Sequence, residues 1–109
     1  MKNNEKLIKE LVSCAIEIRN FGFLCLKEQN IDRFKKCIEI SVLTAEVCEF
    51  TAKVLNTSIS KKETNHLLKQ CEEQLLSCFD AYNHHQLDYC KECCAICKRT
   101  ISALSESTQ

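Results

Sequence analysis

The sequence has no proline, no tryptophan and one glycine, Gly22. Tight turns and loop-built folds draw on glycine and proline, so their near absence points to a helical chain. Net charge is missing as well. Fifteen lysines and arginines balance fifteen aspartates and glutamates, which leaves no excess charge to hold a phosphate backbone or an anionic membrane by counterion release. Nucleic-acid and membrane-surface functions are therefore not expected. No stretch of transmembrane length is free of charge. The opening residues, Met1-Lys2-Asn3-Asn4-Glu5-Lys6, lack the apolar run and small-residue end of a secretory signal.

What the chain does have is ten cysteines in 109 residues. In a short secreted chain that density reads as a disulfide scaffold. Here, without turn residues or a signal, it reads as free thiols in the reducing cytoplasm. The length suits one domain spanning 1–109, and an apolar fraction of 45% is enough for it to bury a core.

Leu7, Leu11, Cys14, Ile18, Phe21 and Cys25 recur at spacings of three and four, the seam of an amphipathic helix over about 3–28. Gly22 interrupts it, either at a close helix contact or incidentally. Glu28 to Asp32 forms a short turn in which Asn30 or Asp32 suits an N-cap. The second helix, about 32–56, carries Cys37, Ser41, Thr44, Cys48 and Leu55 on one stripe and Ile40, Leu43, Val47, Phe50 and Val54 on the next. The polar run Asn56-Thr57-Ser58 ends it, and Ser60-Lys61-Lys62-Glu63 has the pattern of a capping box. The third helix, about 61–83, aligns Leu68, Cys71, Leu75, Cys78 and Tyr82 and breaks near His84 and His85. Asp88 is the expected cap of the fourth, about 88–104, before a frayed tail over 105–109. Short connections between four such helices dictate an all-α, antiparallel up-down-up-down four-helix bundle.

Cys14 and Cys48 are equidistant from Ile31, as are Cys25 and Cys37; Cys71 and Cys97 are equidistant from His84, as are Cys78 and Cys90. Residues equidistant from a hairpin turn sit at one height, so each pair is expected to face across its hairpin. A rise of 1.5 Å per residue then predicts two thiol layers roughly 10 to 16 Å apart. Cys25, Cys37, Cys78 and Cys90 form the layer near the turns, with Cys93 one turn further in. Cys14, Cys48, Cys71 and Cys97 form the deeper one, and Ile18, Phe21, Ser41, Thr44 and Leu75 separate the two.

A lone buried cysteine is ordinary packing, but ten on facing seams supply soft ligands that select Cu(I), zinc or iron–sulfur. Zinc knuckles and cluster motifs favour turns. The Cys-x2-Cys pairs here, Cys90 with Cys93 and Cys94 with Cys97, lie inside a helix, which favours Cu(I) and leaves zinc possible. His84 and His85 sit at the mouth near Cys78 and Cys90, as metal ligands or as solvated turn residues; both readings stand. His66, Lys35-Lys36 and Lys61-Lys62 read as surface. A phosphate loop, a nucleophile elbow and a recognisable carboxylate pair are all missing, so no enzyme activity is expected.

Cys25-Leu26-Lys27-Glu28 through Lys36-Cys37-Ile38, and His85-Gln86-Leu87-Asp88-Tyr89-Cys90-Lys91-Glu92-Cys93 followed by Cys97, resemble the four-helix-bundle copper-storage proteins over essentially the whole chain. The resemblance implies a cytoplasmic store in which core thiolates hold many Cu(I) ions, loaded through one open end. Its ligand slots fall on Cys14, Cys25, Cys37, Cys48, Cys71, Cys78, Cys90, Cys93 and Cys97, with His85 before the last helix; Cys94 is an addition. Leu7, Leu11, Ile18, Phe21, Ser41, Thr44, Leu75, Tyr82, Thr100 and Leu104 stand where the family commonly has cysteine, and Leu87 where methionine would assist loading. Smaller, separated clusters and reduced capacity follow.

The surplus apolar face of the first two helices suggests a homo-oligomer, a tetramer by the resemblance. Two other readings compete: a structural or partner-binding bundle that has lost most metal binding, and a thiol redox switch built on the facing pairs and on Cys93 beside Cys94.

Overall fold

Apolar residues and cysteines returning every three or four positions give each helix one face to bury, and four such faces close around a common axis. The computed structural model describes residues 2–57 and 59–107. Met1, Ser58 in the second connection, and residues 108–109 of the expected tail lie outside the described residues. The helices are α1 (Lys2–Leu26), α2 (Lys35–Leu55), α3 (Lys61–Tyr82) and α4 (Asp88–Ser107). Each packs on its two neighbours, α1 on α2 and α4, α3 on α2 and α4, in a rod of 46 × 19 × 19 Å. This is the all-α antiparallel bundle expected from the pattern.

The helix ends differ from expectation in three places. A 3-10 turn, Ile31–Phe34, precedes α2, and Asn30 makes no side-chain cap hydrogen bond. Asp32 lies within that turn, and Phe34, not a polar residue, stands at the α2 N-cap. Burial of the Phe34 ring sets where the helix begins, so no capping side chain is needed there. Asp88 is likewise inside the first turn of α4 rather than before it, because the Leu87 carbonyl already accepts from the Cys90 and Lys91 amides at 3.0 and 3.1 Å. Its carboxylate acts on the helix dipole instead. The tail expected to fray from Ser105 stays helical to Ser107. The Ser105 hydroxyl donates to Glu72 at 2.6 Å and that of Ser107 to the Ala103 carbonyl at 3.1 Å. The capping residue of α3 is as expected: the Glu63 amide donates to the Ser60 hydroxyl at 3.2 Å, which in turn donates to the Glu63 carboxylate at 3.1 Å.

Leu7, Leu11, Leu55, Leu68 and Leu104 are buried at the end of the bundle remote from the α1–α2 and α3–α4 connections. At about 2 kcal/mol per fully buried leucine, this apolar floor supports the fold without any contribution from sulfur. No helix among the described residues is long and apolar enough to cross a membrane.

Gly22 marks a close helix contact. A Cβ placed there would lie 2.9 Å from the Ser41 Cβ and 3.3 Å from its Oγ. The nearer atom is fixed to the backbone of α2, so the helices would have to part. Alanine gains helix propensity of up to about 1 kcal/mol, but overpacking a tight contact costs about 1–3 kcal/mol. Gly22→Ala is therefore expected to lower the melting temperature by roughly 5 °C, which thermal unfolding followed by circular dichroism checks.

Candidate metal centre

The helical period places one residue of each seam at every turn of the bundle, and all ten cysteines are free and buried. Their sulfurs gather into three groups rather than two layers.

At the mouth, Cys25 of α1 hydrogen-bonds Cys37 of α2, and Cys90 of α4 is close enough for its charge to act on both. Tyr82 closes this group from α3, its hydroxyl 3.7 Å from the Cys25 sulfur. Midway, Cys78 of α3 meets Cys93 and Cys97 of α4, and the three sulfurs all lie within 4.8 Å of one another. Deeper, Cys48 of α2 lies 3.9 Å from Cys71 of α3 and hydrogen-bonds Cys14 of α1.

Two of the four expected pairs, Cys14 with Cys48 and Cys25 with Cys37, therefore meet. Two do not. Cys78 meets Cys93 and Cys97 instead of Cys90, and Cys71 meets Cys48 instead of Cys97. The segment between α3 and α4 covers residues 83–87, so the hairpin is centred on His85, not His84. That offset slides α4 along α3 and exchanges the partners.

Cys94 stands apart. One position from Cys93, it is turned away from the axis, with its sulfur 3.7 Å from the Phe79 carbonyl. Together with Phe79, Asn83, His85, Lys91 and Lys98 it lines a lateral cavity of about 260 Å³. His85 is half-buried and stacks on Phe34 at 4.4 Å between ring centroids. Burial, with the nearby Arg33 and His84 charges, lowers its pKa and keeps a nitrogen lone pair free. His84 and His66 are exposed.

Each group favours a thiolate beside thiols, because closely packed sulfurs cannot all ionise. Hydrogen bonds from Cys93 and Cys97 draw Cys78 down to about 4, while the same contact with Cys78 pushes Cys93 and Cys97 up. The bond with Cys37 brings Cys25 down to about 7 and raises Cys37. Cys14 and Cys71 are both lowered by hydrogen bonds with Cys48, which is raised. Burial, reinforced by the charges of Cys25, Cys94 and Glu28, lifts Cys90 to about 12, and burial with the Cys78 charge raises Cys94. Soft anions and polarisable thiols at this separation make sites suited to d10 metal ions.

Hydroxyls accompany every group; the sequence reading treated Thr44, Tyr82 and Thr100 only as losses of cysteine and did not single out Thr51. Thr100 adjoins Cys14, Thr51 adjoins Cys71, and Thr44 adjoins Cys78. Tyr89, overlooked as a site residue, donates to Glu28 at 2.9 Å and lies beside Cys25, tying the start of α4 over the mouth. A signal was available: threonine three residues after Cys48 and after Cys97 continues the same seam.

Among curated proteins no match is found. Solved structures do match. A copper storage protein, Ccsp, from Streptomyces lividans, loaded with 10 copper equivalents, superposes with a TM-score of 0.89 at 27% identity, covering 96% of this chain and 83% of that one. A structure described as copper loading to a cytosolic copper storage protein from the same organism, with five coppers, gives 0.90 at 27% identity and covers 96% and 91%. A histidine-to-alanine mutant of Ccsp gives 0.89 at 26%, covering 96% and 91%. The family model described as copper storage protein, Csp, matches residues 1–109, and this chain belongs to that family.

Proposed function

We propose that this protein stores Cu(I) in the cytoplasm as cargo, without catalysing a reaction, and that the three sulfur groups along its axis are the store. The observation that carries this reading is the convergence of Cys78, Cys93 and Cys97 within 4.8 Å inside a closed bundle, flanked by Cys25–Cys37–Cys90 above and Cys14–Cys48–Cys71 below. Cu(I) accepts two or three thiolates with little demand on geometry, so each group can hold copper without the helices moving. His85, neutral and beside the mouth, serves copper uptake. His84 at the same turn is a weaker partner, being exposed, and Cys94 would take copper only from the lateral cavity. Zinc fits the middle trio less well, because a closed tetrahedron needs a fourth ligand and the neighbouring seam positions are Leu75 and Thr44. The family relation and the Ccsp structures support copper as the cargo.

Capacity is limited by the seam itself. Leu7, Leu11, Ile18, Phe21, Leu75 and Leu104 are buried where further sulfur would extend the store, so separate clusters replace a continuous lining. Anaerobic Cu(I) titration against a chromophoric chelator is expected to show at least one tightly held ion per sulfur group, and fewer than two per chain would refute storage. Saturation should also raise stability by about 4 kcal/mol at a thousandfold excess over Kd, read as a higher melting temperature in calorimetry.

The apolar residues left exposed support self-association. Ile16 and Phe23 on α1 are 61% and 67% exposed, and Val42 and Phe50 on α2 are 61% and 59% exposed. Between these helices Arg19 forks onto Glu49 at 2.6 and 2.8 Å and reaches Glu46 at 3.3 Å, leaving an apolar face with its charges already paired. We infer a homo-oligomer through α1 and α2, a tetramer by family likeness. Sedimentation velocity should report an assembly that dissociates in the variant Ile16→Glu/Phe23→Glu; a monomeric parent protein would rule this out.

A further inference from the structure

Five hydroxyls are buried among the described residues, Ser41, Thr44, Thr51, Tyr82 and Thr100, and one of them lies across the bundle axis. Tyr82 is the bulkiest of the fully buried side chains. From α3 its hydroxyl reaches Ser41 of α2 at 2.6 Å and the Cys25 sulfur of α1 at 3.7 Å, so one ring links three of the four helices. Hydrogen counting gives the direction. Each hydroxyl has one hydrogen to give, and that of Ser41 goes to the Cys37 carbonyl at 2.7 Å. Tyr82 therefore donates to Ser41 and accepts from the Cys25 thiol. On the far side α1 and α2 close the gap, since a Cβ on Gly22 would lie 2.9 Å from that of Ser41.

This cross-bar falls between two sulfur groups. Ser41 stands one turn deeper on α2 than Cys37, Phe21 one turn deeper on α1 than Cys25, and Tyr82 one turn nearer the mouth on α3 than Cys78, about 6 Å in each case. On those three helices the level holds no sulfur. Only α4 carries cysteine on both sides of it, and Cys90 lies outside the 4.8 Å trio of Cys78, Cys93 and Cys97. Cu(I) passes between thiolates by exchange, the incoming sulfur bonding before the outgoing one lets go, so a level filled by a ring and hydroxyls is a barrier to it. Resting on the copper-storage reading above, we propose that Tyr82, held across the axis by Ser41, is a positioning residue that divides the store in two. Cys25, Cys37 and Cys90 hold copper that exchanges readily with the outside. The middle and deeper groups hold a reserve that leaves only when the Tyr82 ring swings away.

The test is copper release from protein carrying 13C-labelled cysteine, saturated anaerobically with Cu(I), which is diamagnetic and leaves each Cβ signal observable. Excess chromophoric Cu(I) chelator is added; its absorbance gives the rates, and spectra taken between phases identify the sulfurs. Two phases are expected, about tenfold or more apart, with Cys25, Cys37 and Cys90 regaining their copper-free signals in the fast one. Tyr82→Phe keeps the ring and loses the bond to Ser41, worth about a fivefold preference for the closed position. It should quicken the slow phase about fivefold and leave the fast phase unchanged. Leu7→Val loosens the remote apolar end without touching this level, and should change neither rate; melting curves of both variants report the loss of packing separately. The proposal is overturned by a single release phase in the parent protein, by a fast phase that empties Cys78, Cys93 and Cys97, by an unchanged slow phase in Tyr82→Phe, or by equal quickening in Leu7→Val. In each of these cases, core cysteines shifted by saturating Cu(I) leave the storage reading intact; if saturating Cu(I) shifts none, storage itself fails and takes this inference with it.

Discussion

Every layer of a four-helix bundle admits about one side chain from each helix, and this allotment governs the molecule. The rod is only 19 Å across, so a cysteine on the axis displaces a leucine, and a hydroxyl displaces a cysteine. Nine sulfurs, five hydroxyls and a set of apolar residues divide the interior between them. Fold stability and metal chemistry therefore draw on the same positions.

The division is spatial. Leucines occupy the end remote from the mouth, where they bury apolar surface that needs no partner. Sulfur occupies the half nearer the mouth. Buried hydroxyls sit between sulfur groups, and no buried side-chain nitrogen or oxygen among the described residues lacks a hydrogen-bond partner. Unpaired, each would cost about 1–3 kcal/mol. A threonine that satisfies itself on its own helix, as Thr51 and Thr100 do, adds polarity to the core at little cost. A bundle built this way holds its shape before any cargo arrives.

Breaking the sulfur lining into groups changes what a store of this kind can do. A continuous thiolate channel would let ions share ligands along its length. Here Ile18, Phe21 and Leu75 interrupt the sulfur, and each group sets thiols lowered in pKa beside thiols that are raised. His85 stacked on Phe34, and Tyr89 tied to Glu28, frame the end of the bundle that holds Cys25, Cys37 and Cys90. The 3-10 turn that buries Phe34 is thus part of the mouth as well as the start of α2.

Much of this was legible in the sequence. Spacings of three and four residues placed Cys14, Cys25, Cys37, Cys48, Cys71, Cys78, Cys90, Cys93 and Cys97 on buried faces, since a helix turns through a known angle per residue. Scarcity of glycine and proline, with Ser60 and Glu63 in a capping box, placed the helices to within a few residues. Partner choice was not legible for the second hairpin or between hairpins. Cys71 against Cys48, Cys78 against Cys93 and Cys97, and Cys94 turned outward all depend on the axial stagger and rotation of one helix against another. The period of a single helix carries no information about either. The sequence by itself determined four helices with a thiol-lined interior; only packing in three dimensions, through a one-residue shift of the α3–α4 turn and the stagger of one hairpin against the other, decided which sulfurs form a site.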